Sequence, residues 1–248
     1  MKTTTTRSGK EKAFFFLFVL LTCALLHVFP AFADPAGASI VSSSTDYGAN
    51  KTPASSNISR GTITTVVLNG IQQDNHWKAY VGNVTGVFTL DDASNFTIYS
   101  WDITTITGQV YASRFGNLSW SSVACADAGL IANESTFHNM TLSKPDRINA
   151  TFNWTIHKTF QVGSNTITTN TCNSTVTYQN DTRIVPTIGA PFQEVLVKDT
   201  TNNYLIYLTE INDNTQGFNN QSNDFQMIVA ESDVKSTPTP YYFYVELR

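Results

Sequence analysis

The chain is poor in charge, poor in cysteine and poor in histidine, and each shortage removes a class of function. Charged residues are 14% of the 248, with only 15 Lys and Arg against 19 Asp and Glu. Three cysteines and four histidines are too few and too scattered for a zinc cluster, because neither Cys125 nor Cys172 has a second cysteine or a histidine within ligand spacing. No nucleophile elbow, zinc-binding pair or similar local signature surrounds His76, His138 or His157, which read as solvent-exposed. No fixed-period repeat signals a solenoid or propeller. Beyond the amino terminus no stretch is apolar enough for a second membrane span or a GPI signal.

The amino terminus carries the one long apolar run. Lys2, Arg7, Lys10 and Lys12 precede Ala13 to Leu26, and Ala31-Phe32-Ala33 places small residues at −3 and −1, so residues 1–33 read as a signal peptide cleaved before Asp34. A retained anchor is the competing reading, since Phe14 to Ala33 could span a bilayer. A pilin-type cut at Gly9 is separated from the apolar helix by Lys10, Glu11 and Lys12, and Cys23 is a poor lipid-attachment site. Removal takes away four bases and one acid, leaving 11 against 18 and a formal charge of −7. Such a surface repels nucleic acid.

What is abundant is Asn followed by x-Ser/Thr. Acceptor triplets begin at Asn57, Asn83, Asn95, Asn117, Asn133, Asn139, Asn149, Asn153, Asn173, Asn180 and Asn220. For 22 Asn, chance predicts about five N-glycan sequons in so Ser/Thr-rich a chain. Together with the leader they point to a secreted or cell-surface glycoprotein. Cys125 and Cys172, an even pair in an exported chain, are expected to form one disulfide.

The fold class expected is all-β, a two-sheet sandwich, immunoglobulin-like or jelly-roll-like, over residues 61–248 behind a flexible tail or linker, 34–60. Lys- and Glu-poor, Thr- and aromatic-rich composition disfavours helix and favours strand. Short β-forming runs recur between Asn, Asp and Gly: Thr62–Leu68, Trp77–Val81, Val84–Leu90, Phe96–Trp101, Gln109–Arg114, Ile148–Phe160, Thr166–Thr171, Ser174–Tyr178, Arg183–Ile188, Glu194–Lys198, Tyr204–Leu208, Phe225–Ala230 and Tyr241–Leu247. Asp91 and Asp92 occupy a hairpin turn. Ser122 to Asn133 is Ala-rich and suits a short helix or a crossover. In Ile148–Phe160 the pleat would set Asn149 and Asn153 on the solvent face with His157, opposite Phe152 and Trp154.

Trp77 to Gly86, Leu90-Asp91-Asp92-Ala93, Ile98-Tyr99-Ser100-Trp101 and the closing Tyr241 to Leu247 resemble segments of uncharacterised exported proteins of archaea. The resemblance implies an envelope or secreted β-protein and brings no family active site with it.

Candidate sites are few. Glu210, Asn212, Asp213 and Asn214 offer oxygen ligands to calcium, the one cofactor the sequence suggests. Tyr99, Trp101 and Trp120 could form a carbohydrate platform. Glu194, Glu210, Glu231 and Glu246 read as outward residues rather than as a glycosidase pair. The expected role is structural or adhesive, as an envelope or filament component whose partners are like subunits or other envelope parts. A carbohydrate-binding module or carbohydrate-acting enzyme is the rival. Ile40 and Val41 could seed a strand donated to a neighbour's sheet edge.

Overall fold

The computed structural model describes residues 33–49, 52–140 and 144–248, so the leader reading lies outside the described residues apart from Ala33. From Asp34 onward the described residues form one compact unit. The strands in chain order are β1 (Ala36–Gly37), β2 (Trp77–Gly82), β3 (Val87–Asp91), β4 (Thr97–Asp102), β5 (Thr107–Ser113) and β6 (Val123–Cys125). Helices α1 (Ala128–Phe137) and α2 (Ile148–Thr151) follow. Then come β7 (Phe160–Val162), β8 (Asn165–Ile167), β9 (Thr177–Gln179), β10 (Thr182–Ile184), β11 (Glu194–Asp199), β12 (Tyr204–Asn212), β13 (Thr215–Gln216), β14 (Ser222–Asn223), β15 (Phe225–Ala230) and β16 (Tyr242–Leu247).

The principal sheet is antiparallel, in the order β1-β16-β5-β12-β11-β6. Its central strands are apolar on both faces. Val110, Ala112, Leu196, Leu205, Tyr207 and Ile211 look to one side, where the β15–β2 pair and α1 cover them with Met227, Val229, Leu130 and Ile131. Tyr111, Val195, Val197, Ile206 and Leu208 look to the other, under Phe160, Val162 and Ile167 of the β7–β8 hairpin and under Trp120. This two-sided burial explains why Val195–Val197 within β11 and Tyr204–Leu208 within β12 are continuous apolar runs rather than alternating ones. The all-β expectation holds, with sandwich-like layering.

The β15 layer is fastened to the principal sheet through polar side chains. Thr209 Oγ1 donates to Gln226 O at 3.0 Å, Ile228 N donates to the Glu194 carboxylate at 3.1 and 3.2 Å, and Tyr241 Oη donates to Ala230 O at 2.8 Å. Buried backbone groups of β15 therefore find partners without a further strand.

Four expectations change. Thr62–Leu68 forms no strand: it is exposed throughout, because no strand lies alongside it to accept its hydrogen bonds. The tail is not free from its start, since Ala36 and Gly37 pair with Val245 and Tyr244 on the β16 edge and Ala38 N donates to Phe243 O. Ile148–Phe160 is not one strand. It begins as the single turn α2, passes through the isolated Trp154–Ser174 bridge, and enters β7 only at Phe160. Asn149 and Asn153 are nonetheless exposed, and Ile148 and Phe152 buried, because a short helix followed by irregular chain keeps the same inside and outside.

His157 is the fourth. It is fully buried, stacks on Phe160, and accepts at Nε2 from Thr171 N at 3.0 Å and Cys172 N at 2.9 Å, while its Nδ1 meets Lys158 O at 2.6 Å. Burial lowers its pKa, and only the neutral ring can accept at Nε2 while donating at Nδ1. Cys172 in turn forms the disulfide with Cys125, 47 residues earlier, tying the β6 edge to the loop after β8. His157→Phe would keep a ring in place but strand the buried Cys172 N–H and the partly buried Thr171 N–H. A loss of about 3 kcal/mol is expected, read as a lower urea midpoint with unchanged slope.

Candidate functional site

The descent into β2 is governed by Asp74 and His76. His76 N donates to Asp74 Oδ1 at 2.8 Å, an Asx turn that points the imidazole inward. The ring, 6% exposed, then lies between carboxylates from distant loops: Asp146 Oδ2 is 2.5 Å from Nδ1 and Asp233 Oδ2 is 3.1 Å from Nε2. Trp77 Nε1 donates to Asp146 O at 2.7 Å, and Glu231 N to His76 O at 2.7 Å, so the segments carrying both acids are held by backbone bonds as well. Asn139, followed by His76, keeps the Asp233 carboxyl below its usual range. Ligand atoms of Asp74, His76 and Asp146 lie within 4.8 Å of one another. With a direct hydrogen bond occupying Nδ1, the arrangement is first a clamp, one imidazole joining three loops.

The sequence reading of three exposed histidines is therefore reversed. His138 is also fully buried, with Nε2 3.3 Å from Glu134 Oε1. Burial opposes ionisation of Glu134, but His138 and the Arg114 guanidinium, whose Nε lies 2.8 and 3.0 Å from the two carboxylate oxygens, hold its pKa low. The partner of His76 lies 70 positions away, whereas His138 meets Glu134 four residues earlier on α1, a spacing the histidine reading did not use.

The glutamates are not outward either. Glu246 is buried and accepts from Tyr111 Oη at 2.6 Å, Gly163 N at 3.2 Å and Arg248 at 2.5 Å. Glu231 is opposed by burial yet drawn down to about 2 by Lys78 Nζ, Ser232 N and Thr239. Each of these carboxylates is held by its own polar partners.

The calcium candidates sit where β12 turns into β13. Glu210 is ion-paired with Lys158; Asn212 Oδ1 accepts from Phe192 N at 2.5 Å; Asp213 Oδ1 accepts from Asn214 Nδ2 at 3.0 Å. Asp224, which the sequence did not single out, organises this turn by accepting from Asn214 N and Val84 N, both at 2.8 Å. Glu210, Asn212 and Asp213 also line a polar cleft of about 520 Å³ with Gln109, Lys158 and Arg248.

Of the proposed aromatic platform, Tyr99 and Trp101 come together on β4 with ring centroids 4.7 Å apart, 57% and 48% exposed. Trp120 is excluded from it. It is buried, 5.0 Å from the Tyr111 ring and 5.2 Å from Tyr244, because the turn after Asn117 folds back over the sheet. The β3–β4 hairpin is closed as expected: Asp92 Oδ1 accepts from Ser94 N and Phe96 N, and Asn95 takes φ 64°. A bulge at Leu90/Asp91 shifts the register and leaves both rings on the apolar face.

Ten of the eleven acceptor asparagines are exposed, and Asn95, Asn139, Asn180 and Asn220 sit at positive φ in turns. Asn173 is the exception, half-buried with Nδ2 donating to Phe152 O at 2.8 Å. One further triplet, Asn50-Lys51-Thr52, belongs to the same set, and its acceptor lies outside the described residues. Compared with protein families, curated proteins and solved structures, the chain matches none of them.

Glu194 lies in the interior, and burial pushes its carboxyl well above the ordinary value of 4.5, with Ile228 N opposing. A raised folded-state value means the folded chain keeps a proton that the unfolded chain releases. Its contribution therefore falls as pH climbs past 4.5. Glu194→Gln retains an acceptor for Ile228 N and should raise Tm at pH 7 by about 2–4 °C, the shift expected for about 1 kcal/mol in a chain this size. At pH 4 the same calorimetric comparison should show the difference closing.

Proposed function

We propose that this is an exported, N-glycosylated surface β-protein that acts by structure and binding rather than by catalysis. One observation carries the reading: acceptor asparagines at about twice the chance frequency lie almost entirely on the outside of a body whose interior is closed by a disulfide. Glycans at these positions would project into water and screen backbone from proteases. The polar networks around Glu134, Glu231 and Glu246 support a scaffold, since their charges are spent on fixing loops. An envelope or filament component, with like subunits or other envelope material as partners, is the role this body suits.

Intact mass of the exported protein tests the reading. The expected result is a chain starting at Asp34 that carries several glycans, its mass falling to the polypeptide value after enzymatic deglycosylation. An unmodified chain that keeps residues 1–33 would overturn it.

Carbohydrate binding is the second reading, favoured by the exposed, tilted Tyr99–Trp101 pair, an arrangement on which a pyranose ring can stack. Titration with oligosaccharides should then quench Trp101 fluorescence in the wild type. Trp101→Ala should abolish heat release in calorimetry while leaving Tm within about 1 °C, as for a surface position.

A further inference from the structure

Two parts of the chain lack what the other has. The β3–β4 hairpin is a sheet of two strands paired only with each other, exposed at every residue. The pleat gathers Phe88, Leu90, Tyr99 and Trp101 on one face, with Phe88 opposite Trp101 and Leu90 opposite Tyr99. A lone two-stranded hairpin is marginal in water, and three strands are the usual minimum. Segment Thr62–Leu68 has the opposite deficiency. Every residue in it is Thr, Ile, Val or Leu, yet it forms no strand ladder among the described residues, and Ile63, Val67 and Leu68 are 100%, 94% and 84% exposed.

Charge fits the two together. Arg60 is the sole charged residue in 52–73, whereas 87–102 carries Asp91, Asp92 and Asp102 and no base. Neither Thr62–Leu68 nor either strand of the hairpin contains an acceptor asparagine, although acceptors stand just outside them at Asn57, Asn83 and Asn95, the last with its sequon Thr97 opening β4. The principal sheet offers less room, since β1 occupies the middle of the outer edge of β16 and the other edge is the three-residue β6.

We propose that Thr62–Leu68 of one copy adds as a third strand to the β3–β4 hairpin of a second copy. Main-chain hydrogen bonds supply the affinity, and the pleat sets Ile63 and Val67 on one face of the added strand to meet the apolar side of the hairpin. Donor and acceptor are different surfaces, so the contact is heterologous: it closes into a ring or swapped pair, or it propagates as a filament. The proposal rests on the surface-protein reading and names the partner that reading leaves open.

The test uses the exported full chain in light scattering across a concentration series, beside Thr64→Pro/Val67→Pro. Proline at alternate parities removes an N–H from either edge of the segment. The wild type should show at least about twice the mass of one chain, as a heterologous contact requires, with Ile63–Leu68 amides protected from exchange. The variant should run as a single chain with unchanged Tm, because the segment is outside the packed body. A wild type monomeric at every concentration, protected or not in that segment, overturns the proposal, as does a variant that still assembles. A glycosylated monomer sinks strand donation alone; an unmodified, unexported chain that assembles sinks the surface reading alone.

Discussion

Burial of β5, β11 and β12 on both faces is the constraint from which the rest of the architecture follows. An antiparallel sheet with water on one side can leave its polar side chains there. This one cannot, so each polar group in the central strands needs an internal partner. Thr209 and Glu194 meet the backbone of β15, Ser113 Oγ donates to Leu205 O, and Asp199 accepts from Ser119, Thr201 and Asn202. Two covers are required as well. One is a strand pair with helix α1, and the other is a hairpin with Trp120, both joined to the sheet by sequence-distant contacts.

The same constraint divides what the sequence revealed from what it hid. Strands with strong β composition and clear turn punctuation were legible: β2, β11, β15 and β16 stand within a residue or two of their expected limits, as does the Asp92-bonded β3–β4 turn, while β12 starts where expected and runs four residues further, to Asn212. The Ala-rich stretch became α1, capped by Asp127 Oδ1 on Leu130 N. Thr62–Leu68 shows the limit of propensity, since a strand needs a neighbour and composition alone does not provide one. Ile148–Phe160 shows the limit of parity: alternation of apolar and polar residues was real, but one helical turn and irregular chain satisfied it.

Candidate residues fared by the reach of their partners. The disulfide pairing and the acceptor triplets were legible from counting, which is a property of the whole chain. His76 and the buried glutamates depend on residues far away in sequence, and no local pattern announces an Asp146 or an Arg114, whereas His138 meets Glu134 one helical turn earlier and His157 meets Lys158, Thr171 and Cys172. Asp224, holding two backbone amides from separate loops, was equally silent.

The half-buried Asn173 has a consequence for timing. Its amide is committed to Phe152 O once the loop after α2 is seated, so an oligosaccharyl carrier could reach that nitrogen only on a nascent or loosened chain. Occupancy at this one acceptor would thus record the order of two events in biogenesis. A sugar there marks transfer ahead of compaction, and a bare amide marks compaction ahead of transfer.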